Sequence, residues 1–484
     1  MTDNTIAMLI AGKSAKAENG RVYERRNPVT GEVATIAPAA SVADAQRAVE
    51  AAAAAFPAWA QTSPGDRRAY LLKAATEMEG MADDIARTMT AETGSTGPWG
   101  GFNCMLAAGM LREAASMTTQ ITGEIIPSNK PGTLAMAQRK PLGVCLGIAP
   151  WNAPVILGTR AVAMALACGN TVVLKASEMS PATHLAIGQA LHAAGVPDGV
   201  INVITNAPDD AAEVVAALIA APQVRHVNFT GSTPVGRIIA QKAAEHLKPV
   251  LLELGGKAPL VVLDDADIDA AVNGAAFGAF MNQGQICMST ERIIVQDKIA
   301  DAFVEALAAK ARSLPAGDPQ GAVVLGSMIT PEAAEKMEAI IADATAKGGT
   351  VVAGGKRNGS IVEATLIDRV SAQMKVYAEE SFGPVKPIIR VKDDDEAVRV
   401  ANDTEYGLSA AVYGRDIQRA LRVADRIESG ICHINGPTVA DEAQMPFGGV
   451  KESGYGRFGG KAAIEAFTST RWVTIEDPHQ HFPF

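Results

Sequence analysis

The feature that most constrains this chain is an alternation of short apolar strands with helices that begins at Asn170. TVVLK (171–175), GVINVI (199–204) and VRHVNFTG (224–231) predict strands, with helices over PATHLAIGQALHAAG (181–195) and DDAAEVVAALIAA (209–221) between them and a further helix over 235–247. The spacing is close to the ~30 residues of a βαβ crossover unit. The strands are almost continuously Val, Ile and Leu, which suits parallel strands covered on both faces. The expected fold class is therefore α/β, with a doubly wound, Rossmann-like nucleotide-binding domain.

A second α/β region is predicted from about Leu254 to Gly456. It contains IIVQ, TVVAG, PIIRV, LSAAVYG and ICHIN as strands, and long helices at ADAFVEALAAKARSL and EAAEKMEAIIADATAKG. No low-complexity linker separates the two regions, so a cleft is expected where they meet. Residues 41–90 read as helix with Ser41 as its cap. Residues 119–142 read as a long hairpin around Pro127–Gly132. The closing AFTSTRWVTIED reads as a strand that needs an edge to pair with, here or on another subunit.

Several classes are excluded. The longest greasy stretch, Pro154 to Leu174, is interrupted by Arg160 and by Gly169-Asn170, so no membrane span is expected. MTDNTIAMLI carries Asp3 and no basic flank, unlike a secretory leader, and a cytoplasmic location is expected. Five cysteines (104, 145, 168, 287, 432) form no C-x-x-C pair, which argues against both a disulfide framework and a metal site. A net charge of −10 disfavours nucleic acid as a partner.

Three side chains could react. Cys287, in FMNQGQICMSTERIIV, lies on a Gly-flanked turn that could aim neighbouring backbone N–H groups at whatever the thiol attacks, although a free cysteine is more often a small buried hydrophobe. Glu253 ends an apolar run before Gly255-Gly256; burial there would raise its pKa toward that of a general base, unless it tips into solvent. Asn152, in APWNAP, could donate to a developing alkoxide or simply shape a turn. NFTGSTPVG (228–236), with Gly231 and Ser232 at a strand-to-helix junction, could hold a pyrophosphate, though it lacks the G-x-G-x-x-G pattern. Lys175 and Glu178 could bond a ribose, the carboxylate favouring NAD over NADP, or form an ordinary solvated pair.

These pieces occur in one order: PWN at 150–152, KASE at 175–178, FTGST at 229–233, LELGGK at 252–257, GQICMS at 284–289, EESFGP at 379–384 and PFGG at 446–449. Together they resemble the aldehyde dehydrogenase superfamily over nearly the whole chain. The resemblance implies an NAD-binding domain at 1–122 and 143–254, a catalytic domain at 255–462, and a bridging element at 123–142 and 463–484 that joins subunits into a homodimer or homotetramer. It implies Cys287 as nucleophile, Glu253 as the base for the deacylating water, and an oxyanion hole of Asn152 with the Cys287 N–H. Trp151, Lys175, Glu178, Gly231, Ser232, Glu380 and Phe382 are the implied cofactor contacts.

Whole-chain character, including REAASMTTQITGEIIP and the ending HFPF, most resembles bacterial aromatic-aldehyde enzymes of the salicylaldehyde and vanillin type. Trp99, Met288 and Phe447 would form a ring-stacking wall. Arg160 stands where a bulky apolar residue is common, and would either meet a polar ring substituent or form a salt bridge at the wall. Other readings are an aliphatic or semialdehyde dehydrogenase, a CoA-acylating relative, a Cys-dependent esterase, and a noncatalytic protein on the same fold. Glu253 argues against CoA acylation, where no water-activating base is needed. No histidine falls within the motifs to mark a hydrolase partner.

Overall fold

The computed structural model describes residues 4–484, so Asp3 of the leader argument lies outside the described residues. Five parallel strands form the centre of an eight-stranded sheet, in the spatial order Ile201–Ile204, Thr171–Lys175, Val144–Ile148, Val224–Thr230, Val250–Glu253. The chain starts in the middle, runs outward to one side, then crosses to the other. The two directions part between Val144–Ile148 and Val224–Thr230, the place in a doubly wound sheet where a crevice opens beyond the strand C-termini. Trp151 and Asn152 follow one of these strands and Gly231 and Ser232 follow the other.

The Val144–Ile148 strand was not among the strands expected from the sequence. It is five residues long, includes Gly147, and follows Pro141-Leu142-Gly143 directly. Its neighbours bury it completely. Alternate residues serve opposite faces: Val172 and Leu174 pack with the Pro154–Ala167 and Pro181–Ala193 helices, whereas Val173 and Leu146 pack with the Val42–Gln61 helix. The expected helical stretch at 41–90 is three helices, Val42–Gln61, Pro64–Gly80 and Ala82–Thr93. Ser41 caps the first in a reciprocal box with Asp44, and Ser63 followed by Pro64 restarts the chain as the second.

A second sheet has six parallel strands and an antiparallel edge, in the order Thr350–Ala353, Thr365–Asp368, Val385–Val391, Arg292–Gln296, Pro259–Val262, Ser409–Tyr413, Ile431–Ile434. The sheets are stitched together by Gly454–Tyr455, which returns from the second region to pair antiparallel with Leu252 and Glu253. Only glycine fits at 454, since its φ is +104° and a Cβ would stand 2.1 Å from the Leu252 carbonyl oxygen.

The expected hairpin exists as Glu124–Ile126 and Leu134–Pro141. The closing strand, Thr468–Ile475, finds its edge within the chain, pairing residue for residue with Leu134–Pro141. Its outer edge stays open, with Trp472 and Ile475 exposed. Among the described residues no helix is long and apolar enough to cross a membrane.

Asn170 fastens this small sheet to the large one. It is fully buried; its Oδ1 accepts from the Leu142 and Gly143 N–H groups at 2.6 and 3.1 Å, and its Nδ2 donates to the Ala165 and Phe467 carbonyls at 3.1 and 2.8 Å. Asn170→Ala should leave buried backbone groups unpaired at about 1–3 kcal/mol each. Urea unfolding of the variant is expected to show a loss of about 3 kcal/mol or more; an unchanged midpoint would count against this role.

Candidate active site

The helix Ile268–Phe280 ends in a turn whose backbone is left-handed at three successive residues: φ is 47° at Asn282, 55° at Gln283 and 71° at Gly284. Non-glycine residues pay ~1–2 kcal/mol each for this conformation, so the turn must be held. Asn282 Nδ2 donates to the Asn152 carbonyl at 3.0 Å and Gln283 Nε2 to the Ser327 carbonyl at 2.9 Å. Gln285 Oε1 accepts from the Ile329 N–H at 3.0 Å, and the Gln285 carbonyl accepts from Asn152 Nδ2 at 3.0 Å. Trp99 Nε1 donates to the Asn152 carbonyl at 3.0 Å. Sequence reasoning singled out none of Asn282, Gln283 or Gln285.

This turn delivers Cys287. Cys104, Cys145 and Cys168 are buried and Cys432 is exposed, whereas Cys287 is crowded by protein yet open to the cleft it lines. Among the described residues its backbone N–H donates to no protein acceptor. Gly256 lets the Glu253 segment approach it, for a Cβ there would stand 2.2 Å from the Cys287 carbonyl oxygen.

Glu253 closes its strand fully buried, with neither carboxylate oxygen in a hydrogen bond among the described residues. Burial is the chief reason its pKa is pushed up from 4.5 to about 7; Arg160 and the Cys287 thiol hold it down, Glu380 and Asp441 add to the rise. Burial, and then the facing Glu253 carboxylate, raise the Cys287 thiol well above its ordinary value. Each group therefore resists ionising while the other is charged.

Two spaces meet at Cys287 and Asn152. The larger, about 770 Å³, is lined by Trp151, Lys175, Glu178, Gly231, Ser232, Glu380 and Phe382, so every cofactor contact expected from the sequence faces one cleft. Lys175 and Glu178 form an ion pair at its edge. Ser232 is the N-cap of the Thr233–Glu245 helix, but its hydroxyl makes no capping bond and stays available beside the helix N-terminus. Trp151 meets Phe382 edge-on at 5.6 Å.

Glu380 accepts from the Gly256 N–H at 2.9 Å, and burial raises its pKa to about 7. Its loop rests on a buried cluster: Glu291 takes Lys257 at 2.8 Å, Lys386 at 2.6 Å and the Ser381 N–H at 2.8 Å, while Lys257 also donates to the Glu379 carbonyl at 2.6 Å. Burial alone would raise Glu291, but the two ammonium groups outweigh it and hold its carboxyl well below the usual range. The Glu178 carboxylate, a helix N-terminus and the Glu380–Phe382 loop line one cleft that runs to Cys287, a shape and donor set that fit an extended dinucleotide.

The smaller chamber, about 70 Å³, is walled by Trp99, Arg160, Met288 and Phe447, the substrate contacts expected from the sequence. Of the two alternatives for Arg160, the salt bridge at the wall is the one present. It is buried in an ion pair with Asp441 and lies 4.1 Å over the Phe447 ring, and among the described residues its Nη1 has no hydrogen-bond partner. Asp441 belongs to none of the seven motifs, and nothing in its local sequence marks it as a partner for a residue 281 positions away.

Residues 15–473 match the aldehyde dehydrogenase family. The chain is 61% identical over 479 residues to a vanillin dehydrogenase of Pseudomonas fluorescens, covering 99% of each. Among solved structures it is similar to a salicylaldehyde dehydrogenase from Pseudomonas putida G7 complexed with salicylaldehyde, at 49% identity and a TM-score of 0.98, covering 99% of this chain and 100% of that one. It is also similar to a betaine aldehyde dehydrogenase from Staphylococcus aureus in complex with NAD+, at 32% identity and a TM-score of 0.95, covering 99% and 96%.

Because the folded-state pKa of Glu253 is raised, its contribution to stability is fully present below pH 4.5 and is lost as the pH rises through about 7. Relative to Glu253→Gln, which cannot titrate, the wild type should lose roughly 3 kcal/mol across that window. Denaturation of both proteins at several pH values checks this; a constant difference would contradict the raised pKa.

Proposed function

The chain belongs to the aldehyde dehydrogenase family, and from that premise we propose that it oxidises aromatic aldehydes of the vanillin and salicylaldehyde kind to their carboxylic acids, with NAD as cofactor. The observation that carries the reading is the meeting of cleft and chamber at a partly open cysteine that faces a buried carboxylate without hydrogen bonds.

In this reading the Cys287 thiol gives up its proton to Glu253, and the sulfur adds to the aldehyde carbon. The resulting oxyanion accepts from the unengaged Cys287 N–H and from the second Nδ2 hydrogen of Asn152, the first being spent on Gln285. Bound NAD supplies the hydride acceptor that lets this adduct become a thioester. Lys175, Glu178 and Ser232 would hold the adenosine and pyrophosphate end, Glu380 and Phe382 the other. Glu253, with a pKa near neutrality, then releases that proton to solvent, takes another from water as it attacks the thioester, and returns it to the departing sulfur as the acid leaves.

Trp99, Met288 and Phe447 would bracket a ring, and the free Nη1 of Arg160 would meet an oxygen substituent on it. The open edge of Thr468–Ile475, with Trp472 and Ile475 exposed, supports assembly of copies into a homodimer or homotetramer. Five free cysteines suit a cytoplasmic enzyme. The division into cofactor-binding (1–122, 143–254), catalytic (255–462) and bridging (123–142, 463–484) parts is the organisation we adopt.

Cys287→Ala should form no NADH from vanillin or salicylaldehyde while its thermal midpoint holds. Glu253→Gln should release a near-stoichiometric burst of NADH and then stall; full steady-state turnover would remove Glu253 from its role. Arg160→Ala combined with Asp441→Asn, which leaves no lone carboxylate buried, should raise KM for hydroxybenzaldehydes several-fold more than for benzaldehyde. Equal shifts would discard the polar contact.

A further inference from the structure

Glu178 is fastened in a way that Lys175 alone does not explain. Its Oε1 accepts both from Lys175 Nζ and from Nδ2 of Asn206, the latter at 2.9 Å. Asn206 lies two residues beyond the Ile201–Ile204 strand and is fully buried. Its backbone is fixed by its neighbour, for Thr205 bonds the Pro38 carbonyl at 2.7 Å and accepts from the Ala40 N–H at 3.0 Å. Its second amide hydrogen is spent on the Ala207 carbonyl at 2.8 Å. Two carbonyl-type acceptors around Nδ2 settle which way the amide faces. Asn206 does not line the cleft, so whatever it does for a ligand it does through Glu178.

The geometry assigns Asn206 as the positioning residue that locks the Glu178 carboxylate toward the cleft and so makes this protein discriminate NAD from NADP. The assignment rests on the cleft's being the NAD site. An ionised carboxylate accepts from a 2′-hydroxyl and repels a 2′-phosphate, but it rejects the phosphate only if it cannot turn aside. Lys175 alone does not fix it: its buried ammonium is a point charge on a four-carbon stem, and a 2′-phosphate would compete with Glu178 for it. Asn206 has a short, fully buried side chain whose Nδ2 is also tied to the Ala207 carbonyl, although its Oδ1 has no partner among the described residues, and it can neither follow a rotating carboxylate nor swing to meet the phosphate. With Oε1 saturated on the protein side, Oε2, which has no protein donor among the described residues, is the oxygen left for a ribose.

The test is calorimetric titration of NAD and NADP into the wild type, Asn206→Ala and Asn206→Leu, the last of similar volume and unable to donate. The wild type should bind NAD more tightly; both variants should lose about tenfold of that preference, chiefly through tighter NADP binding, with kcat at saturating NAD unchanged and thermal midpoints retained. Glu178→Gln, which removes the charge itself, should lose at least as much. Folded variants that keep the wild-type Kd ratio overturn the inference and leave the cofactor assignment standing, as does failure of both variants to fold, which would make the position structural. A wild type that binds neither dinucleotide overturns the cofactor assignment and this inference with it.

Discussion

Three consecutive left-handed residues just before the nucleophile are the constraint on which the rest of the site depends. An isolated chain would relax Asn282 and Gln283 into ordinary backbone, because each is held at a cost. The folded protein prevents that by spending side-chain amides on carbonyls from elsewhere: Asn282 on Asn152, Gln283 on Ser327, Asn152 on Gln285. Asn152 follows the central strand of one sheet, and the turn leads into the Arg292–Gln296 strand of the other. The clamp that offsets the strain therefore also ties the two sheet regions together, and it places a thiol, an amide and an unused backbone N–H at one point.

The same side chain takes opposite character in different surroundings. Glu253, fully buried, and Glu380, half-buried, have few partners and are pushed up to about 7, where a carboxyl can accept and release protons. Glu291 is buried as deeply as Glu253, but two lysines and the Ser381 N–H keep it ionised, and it serves as a fixed post beneath the Glu380 loop. A protein can leave a carboxylate unpaired only where the surrounding framework is secure; here the paired one supplies part of that framework.

Much of this was legible in the chain. The alternation of Val-rich strands with helices led to a parallel α/β sheet, and the strand-to-helix junction at Gly231-Ser232 led to the mouth of the cleft. The Val144–Ile148 strand escaped because a five-residue run containing Gly147 shows no clear period, although it forms the axis of the sheet. Asp441, Asn206 and the Glu291 cluster escaped for another reason. Each acts on a residue far away in sequence, Asp441 on Arg160 and Asn206 on Glu178, and none sits in a pattern that a local reading can weigh.

Periodicity and motif spacing are properties of neighbours along the chain, so the sequence by itself determined the element types, the α/β class and which side chains were able to react. Solvation and pairing are properties of neighbours in space. Whether Glu253 is protonated, whether Arg160 is neutralised and which oxygen of Glu178 is left free are settled by groups that only the tertiary structure brings within reach, because the cost of burying a charge depends on what surrounds it and not on what precedes it.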